Sequence, residues 1–317
     1  MIKLSIVIVN WNVRELLRGC LESLRKATKS IDFQIFVVDN ASVDGSVEMV
    51  KSEFPEVKLI ENKGNQWFPK ANNQALKLVK GEYTLLINPD TVVNDDVLTG
   101  MIGFIDSHPE IGMVGPKILL PDGSIQYECA RELPTLSGAF FSLFYLKTLF
   151  PRHKIFSKEV FGGWDHKTSR IIPAISGACM LIRTALLKKI GFLDETIPMY
   201  FEDIDLCKRV NQAGAKVYYL ADAEIIHYSG QSLGKQSSPQ MVRQFEFPAY
   251  QRFFAKYGSS GKLFMYNLLL FSASLLRIII ILPGWLIFSP LGKKKPQVFA
   301  YGTLKKYLAG IEVALWK

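Results

Sequence analysis

The chain has 317 residues, 49% of them hydrophobic and 21% charged, with a formal net charge of +9. That composition suits a globular body with a sizeable core and excludes low-complexity, collagen-like and disulfide-scaffold classes. The charge is uneven: Gly261 to Lys317 carries +7, leaving +2 for the other 260 residues. A near-neutral body with a basic, oily tail points to anionic lipid and away from nucleic acid, because no aromatics interleave with the basic residues as a single-strand groove needs.

Taken in order, Leu4 to Val9 reads as a buried strand, too short for a signal-peptide core and followed at once by Asn10, Asn12 and Arg14. A helix through Leu16, Leu17, Leu21 and Leu24 comes next, then a strand Ile35 to Val38. Asp44-Gly45 turns the chain into a helix ending before Pro55. Strands Val57 to Ile60 and Tyr83 to Ile87 bracket a helix expected around Asn72 to Val79. Strand alternating with helix at this pitch predicts an α/β domain with a mostly parallel sheet. Ligands on such sheets gather at the carboxyl ends of strands, where this sequence places Asn10 and Asn12, Asp39 and Asn40, and Asn88 and Asp90.

Further on, Leu119 to Tyr127 predicts a hairpin about Pro121-Asp122-Gly123. Ala130 to Arg170, aromatic, basic and aperiodic, is expected to be a mobile surface segment. Ile175 to Arg183 reads as a strand whose small residues Ser176-Gly177-Ala178 let something approach closely. Asp203 to Ala213 is a helix stopped by Gly214, and Val217 to Leu220 and Glu224 to Tyr228 are the last two strands of the body. The four scattered cysteines, Cys20, Cys129, Cys179 and Cys207, show no metal-ligand spacing and read as small buried hydrophobes in a reducing compartment.

A polar rim of this kind can offer three things: a grip on a base and ribose, a counter-charge for a diphosphate, and a base for a proton. Asp90 after one strand and His227 at the end of another make a sparse metal site, with diphosphate and water left to complete a Mg2+ or Mn2+ shell. The plain alternatives are a Pro-Asp turn and a structural histidine. Glu202, Asp203 and Asp205 crowd one helix start, where acids also serve simply as caps. The flanking Tyr200, Phe201 and Leu206 imply desolvation, which raises a carboxyl pKa and suits a general base. Asp39-Asn40-Ala41-Ser42 has the polarity to read a base or ribose, or to form an Asx turn. Asn72-Asn73, expected at a helix start, serves as cap or donor contact. Phosphate-loop glycine signatures, a nucleophile elbow and H-E-x-x-H are all lacking.

These residues, in this order, resemble the family 2 glycosyltransferases of the GT-A fold, and more narrowly their rhamnosyltransferase-like branch. The runs that carry the resemblance are Ser5 to Asn12, Val38 to Gly45, Leu86 to Thr91, Ser176 to Arg183, Gly191 to Glu195, Phe201 to Leu206 and His227 to Ser232. The resemblance covers roughly residues 3 to 257. The resemblance implies that Asp39 contacts the donor's base or ribose and that Asn88-Pro89-Asp90 stands for the D-x-D signature, with Asp90 and His227 on the metal. Asp203 is then the base, Glu202 positions acceptor or base beside it, and Arg209 pairs with these acids or with a phosphate. Asn10, Asn12, Asn72 and Asn88 join the donor-binding set. One departure is the loop Asn65 to Asn73, where Trp67 replaces a usual glycine and Pro69 a usual alanine. A second is the uncharged Asn88 at the first D-x-D position.

Leu263 to Leu291 has Arg277 as its only charge and is long enough to span a bilayer, but Pro283-Gly284 is expected to break it. Lys293-Lys294-Lys295 favours the inner side. The expectation is a catalytic domain over 1–257 and a membrane-associating tail over 258–317, peripheral or monotopic at the cytoplasmic face. Val298 to Trp316 would form a second amphipathic segment, with packing on the body or a homo-oligomer interface as alternative uses of the tail. The activity implied is inverting transfer of L-rhamnose from dTDP-L-rhamnose to a polyprenyl-diphosphate-linked or growing surface glycan. Alternatives are a UDP-linked galactofuranose, glucose or N-acetylhexosamine donor, or a non-catalytic nucleotide- or glycan-binding scaffold. A processive synthase lacks support, since one broken apolar segment builds no channel.

Overall fold

The computed structural model describes residues 1–229, 242–288 and 294–315. The chain divides into two compact units, the first formed by 1–133, 159–198 and 202–232 and the second by 134–158, 199–201 and 233–317. Contacts therefore group 134–158 and the helix before residue 258 with the tail, a different line from the expected division after residue 257. Gly230-Gln231-Ser232, Lys293 and Trp316 lie outside the described residues.

The first unit is built on a mixed sheet. Strands β1 (Leu4–Asn10), β2 (Phe33–Asp39), β3 (Lys58–Glu61) and β4 (Tyr83–Ile87) run parallel in the order β3-β2-β1-β4. The apolar runs of β1, β2 and β4 fit strands covered on both faces, whereas β3 is the half-exposed edge. Helices α1 (Arg14–Ala27), α2 (Ser46–Glu53) and α3 (Trp67–Leu76) connect them. Gly45 sits at φ +84 before α2, a conformation glycine adopts without steric cost. Beyond β4 the sheet turns mixed. After β5 (Thr91–Val93) and helix α4 (Val97–Ser107), β6 (Ile111–Leu119) enters the sheet. The short strands β7 (Ala130–Arg131) and β9 (Ala174–Ile175) pair separately, and β8 (Arg170–Ile171) pairs with the last strand. β10 (Cys179–Arg183) lies antiparallel between β4 and β6, and β11 (Lys216–His227) runs parallel to β6 and antiparallel to β5. Helices α7 (Thr184–Ile190) and α8 (Glu202–Gln212) complete this unit, and all four cysteines are buried and unpaired.

Several sequence expectations change here. The last two strands are one: β11 is continuous and shifts register against β6 between Leu220 and Glu224, so the gap left between them at residues 221–223 is an irregularity within one strand. The hairpin at 119–127 reduces to one bridge, Leu119 to Ile125, around the Pro121-Asp122-Gly123 turn. Helix α3 begins at Trp67, five residues before Asn72, because Asn65 Oδ1 accepts the Trp67 N–H at 2.8 Å and Pro69 falls in the first turn, where its missing donor costs nothing.

The stretch 130–170 is folded rather than loose. It contributes α5 (Leu136–Leu143), capped by Thr135, whose Oγ1 accepts the Gly138 N–H at 3.1 Å, and α6 (Leu146–Leu149). Its aromatics pack on one another: Phe141 and Phe150 meet Phe156 at 5.3 and 5.4 Å, and Trp164 stacks on His166 at 4.1 Å. Pairings of this kind leave no period in a sequence.

The second unit is helical, combining α5 and α6 with α9 (Phe247–Tyr257), α10 (Ser260–Phe288) and α11 (Lys294–Leu315). α10 runs unbroken through Pro283 and Gly284; one forfeited hydrogen bond does not end a helix this long. α10 and α11 approach closely at Gly310, where a Cβ would stand 2.3 Å from Ser274 Oγ. Tyr250 of α9 stacks on Tyr266 of α10 at 5.3 Å. Over Ser260–Leu282 the mean hydropathy is 2.0, and this is one helix among the described residues long and apolar enough to cross a membrane.

Candidate active site

Two groups of polar side chains collect at the carboxyl ends of sheet strands, and a third at the start of α8. The first joins β1 and β2, whose register sets Asn10 directly against Asp39. Asn10 Nδ2 donates to Asp39 Oδ2 at 2.8 Å and to Ser42 Oγ at 3.1 Å, while the Ser42 N–H donates to Asp39 Oδ1 at 2.8 Å. Asn12, at φ +54, donates its N–H to the same Ser42 Oγ and accepts the Val43 N–H on Oδ1 at 2.8 Å. Asn10 and Asp39 are buried, and Asn10 Oδ1 has no partner among the described residues. A buried amide oxygen left this way carries a desolvation cost that an incoming N–H or O–H would offset.

The second group sits past β4. The Asn88 N–H donates to the Ala178 carbonyl at 3.0 Å, and Thr91 Oγ1 donates to the Asn88 carbonyl at 2.8 Å. Pairing of β5 with β11 sets His227 opposite Thr91, so the imidazole arrives beside Asp90. His227 Nε2 lies 3.1 Å from Asp90 Oδ1 and 3.3 Å from Asn88 Nδ2, with Asp90 and His227 both buried. The other ring nitrogen, Nδ1, is 2.8 Å from Gln126 Oε1. An acceptor there holds the proton on Nδ1 and leaves the Nε2 lone pair facing a carboxylate oxygen. Two electron-rich atoms in that position are reconciled by a shared proton or by a metal cation, and one nitrogen with one oxygen donor fits Mg2+ or Mn2+. Among the described residues no third His, Cys, Asp or Glu joins them, so diphosphate and water oxygens would have to fill the shell.

The third group opens α8. Tyr200 and Phe201, at φ +61 and +68, are two successive non-glycine residues in the left-handed region, a strained approach to the helix. Asp203 Oδ2 accepts the Gly177 N–H at 2.9 Å, and Oδ1 accepts the Ile204 N–H at 2.8 Å. Burial, and then the adjacent Asp203 carboxylate, push the Glu202 carboxyl up to about 8. Its Oε2 has no hydrogen-bond partner among the described residues. Asp205 turns away from this pair: wholly buried, it binds Arg209 Nε at 2.8 Å. Arg209 gives three further donors to the carbonyls of Ile190, Gly191 and Phe192, so it pairs with one of the acids, as part of a structural cluster.

The loop Ser176-Gly177-Ala178 links the last two groups, donating from Gly177 to Asp203 and accepting at Ala178 from Asn88. The small residues read there as marking a close approach are matched by Asp203. Asn72 takes a different place from the one expected. Buried in the second turn of α3, it donates to the Phe68 carbonyl at 2.9 Å, while Asn73 bonds both backbone groups of Leu193. Neither asparagine caps the helix, since the cap position is Gln66. Gln126 escaped the sequence reading, for a single amide after a turn has no pattern; the clue was a turn returning beside the strand that ends at His227.

A sheet of this form with such a rim defines the GT-A fold, and its class is the nucleotide-sugar glycosyltransferases. The model of glycosyl transferase family 2 matches residues 5–191, more than half the chain, and the chain belongs to that family. It is 26% identical over 258 residues to an N-acetylglucosaminyl-diphospho-decaprenol L-rhamnosyltransferase of Mycobacterium tuberculosis, covering 75% of this chain and 80% of the relative. It is also 26% identical to the rhamnosyltransferase WbbL of Escherichia coli K12, over 71% of this chain and 83% of that one. In structure it resembles the mannosyltransferase PcManGT from Pyrobaculum calidifontis, solved in complex with GDP-Man and Mn2+. The TM-score is 0.55 at 16% identity, covering 99% of this chain and 87% of that one. The chain is thus a rhamnosyltransferase-like glycosyltransferase.

Proposed function

We propose that this enzyme transfers L-rhamnose from dTDP-L-rhamnose, with inversion, to a polyprenyl-diphosphate-linked or growing cell-surface glycan. The observation that carries the reading is the meeting of Asn88, Asp90 and His227 at one strand end, with the Glu202-Asp203 pair tied to it through a single loop. The two rhamnosyltransferase relatives support the donor, and the diphospho-decaprenol named for one of them supports a lipid-linked acceptor.

Asn10, Asn12 and Asp39 hold the base and ribose end of the donor, and Asn88 steadies the diphosphate end. Asp90 and His227 would hold a Mg2+ or Mn2+ ion, which when bound offsets the charge of the leaving diphosphate. Asp203 takes the proton of the acceptor hydroxyl as that oxygen bonds to the anomeric carbon from the face opposite the diphosphate. Each carboxylate oxygen has two lone pairs, so Asp203 can keep both backbone N–H bonds and still receive an O–H. Glu202, protonated near neutrality by its raised pKa, orients acceptor or base beside it.

The body through residue 257 is read as catalytic and residues 258–317 as a tail that lies on the anionic cytoplasmic leaflet. Its support is the net +7 of the last 57 residues and the apolar run of α10. A second donor reading, a UDP-linked galactofuranose, glucose or N-acetylhexosamine, draws on Trp67 at φ +60 in the loop that departs from the family pattern.

The test is nucleoside diphosphate release from a panel of nucleotide sugars, with and without Mg2+ or Mn2+. Metal-dependent release from dTDP-L-rhamnose is expected. Release from a UDP sugar alone would overturn the donor, and no turnover even with lipid-linked acceptor would favour a non-catalytic scaffold. Asp203→Asn should abolish transfer with donor affinity retained; loss of donor binding would remove Asp203 as base.

A further inference from the structure

The helical unit contains a charged cavity that the proposed reaction does not use. It measures about 220 Å3, and its walls include Ser142, Tyr145, Thr148, Glu246, Arg277 and Lys306. Arg277 is the sole charged residue from Leu263 to Leu282, on a helix that is otherwise apolar there. A guanidinium in such a setting is costly unless partnered. Arg277 donates to the carbonyl of Leu143, the last residue of α5, and lies 4.2 Å from the Tyr145 ring and 4.8 Å from the Tyr307 ring. One carbonyl and two ring faces use a part of its five N–H donors, and no carboxylate among the described residues pairs with it. Lys306 Nζ stands 3.6 Å from Glu246, a loose ion pair. The walls therefore present two cations against one anion.

Beside this cavity α10 leaves an apolar stripe uncovered. Met265, Leu276 and Ile280 are exposed at spacings of eleven and four, so they follow one face of the helix, about a quarter-turn round from Arg277. A net positive, hydroxyl-bearing cavity and an exposed hydrocarbon surface on the same helix match the two ends of one kind of molecule.

We propose that the cavity binds the phosphodiester head of an anionic glycerophospholipid drawn from the membrane, with the acyl chains along the exposed stripe of α10. The inference rests on the membrane-associated reading of the tail given above. Charge selects the head group. One phosphodiester carries a single negative charge, matching the net +1 of the walls, whereas a choline head would bring another cation toward Arg277 and Lys306. The guanidinium suits phosphate oxygens by geometry as well as charge. Ser142, Thr148 and Glu246 are matched in turn to the hydroxyls of a glycerol head group.

The test is calorimetric binding of dihexanoyl-phosphatidylglycerol, below its micelle concentration, to the full chain. We expect one lipid per chain, bound about tenfold more tightly than dihexanoyl-phosphatidylcholine and retained at high salt, which weakens diffuse surface attraction. Arg277→Gln and Lys306→Gln should each weaken binding about tenfold. Lys305→Gln, which removes the same charge at an exposed neighbour outside the cavity, should leave it unchanged. Arg277 also holds α5, so Thr148→Glu serves as a second variant: it sets a negative charge in the cavity with Arg277 intact and should abolish binding. Equal affinity for phosphatidylcholine, or indifference to all three cavity variants, overturns the proposal. So does equal binding of inorganic phosphate, which would mark a free-anion site, or preference for geranyl phosphate, which would mark a prenyl carrier. If the full chain binds vesicles of neither lipid, the membrane reading fails as well; vesicle binding with an unresponsive cavity overturns the lipid site alone.

Discussion

The backbone N–H of Gly177 donates to Asp203 Oδ2 at 2.9 Å, and a Cβ added at Gly177 would stand 3.3 Å from the Asp203 Cβ. The residue proposed as base is thus seated against a bare stretch of backbone. Gly177→Val should push the carboxylate out of line and lower turnover by about a hundredfold, the scale of a misplacement near 1 Å. Far-ultraviolet dichroism and donor affinity should hold. Unchanged turnover would mean that Asp203 does not need this seat.

Glu202 yields a pH-dependent prediction. Burial and the Asp203 charge raise its carboxyl from an ordinary 4.5 to about 8. Between those values the folded chain holds a proton that the unfolded chain has released. Stability from this group is therefore greatest below pH 4.5 and declines as pH rises through about 8. Glu202→Gln removes the dependence. Its melting temperature should match wild type near pH 4.5, exceed it increasingly up to about pH 8 and then run parallel. A gap that closes with rising pH would contradict the shift.

Much of this architecture was legible because burial leaves a pattern. β1, β2 and β4 show uninterrupted apolar runs, and polar residues follow each at the rim, where Asn10, Asp39, Asn88 and Asp90 indeed stand. Other features depend on partners far away in sequence. Phe141 and Phe156 find each other across a stretch with no period, which therefore read as loose surface. The start of α3 was missed because an Asx contact from Asn65, rather than a capping side chain before Asn72, sets it. Asp205 sits two residues beyond the site pair yet faces Arg209, a choice made by the helix rotation and the carbonyls at the end of α7.

That Arg209 cluster gives a stability prediction. Asp205 is wholly buried, and the guanidinium also holds the carbonyls of Ile190, Gly191 and Phe192. Arg209→Leu takes the guanidinium away from a buried carboxylate and three acceptors and should cost about 3 to 5 kcal/mol in urea unfolding. Replacing Asp205 by Leu as well should recover part of that loss. Donor affinity of the folded fraction should not change, since Arg209 is committed to protein carbonyls. A variant of normal stability with weakened donor binding would return Arg209 to the phosphate.

Gln126 gives the sharpest test of the His227 site, because it acts on the ring and not on the ligand. Its Oε1, 2.8 Å from His227 Nδ1, keeps the proton there and leaves Nε2 to face Asp90. Gln126→Leu removes that hold, so the proton can move to Nε2 and occupy the lone pair a cation needs. Mn2+ affinity, measured by electron paramagnetic resonance in the presence of nucleoside diphosphate, should weaken about 10- to 100-fold. Gln126→Glu should restore or tighten binding, because a carboxylate makes the imidazole a more basic ligand. Were His227 merely structural, both variants would shift the melting temperature while Mn2+ affinity stayed put. A loss in the leucine variant reversed by glutamate is an outcome that packing alone does not produce, since the two replacements differ at this position chiefly in the acceptor offered to Nδ1.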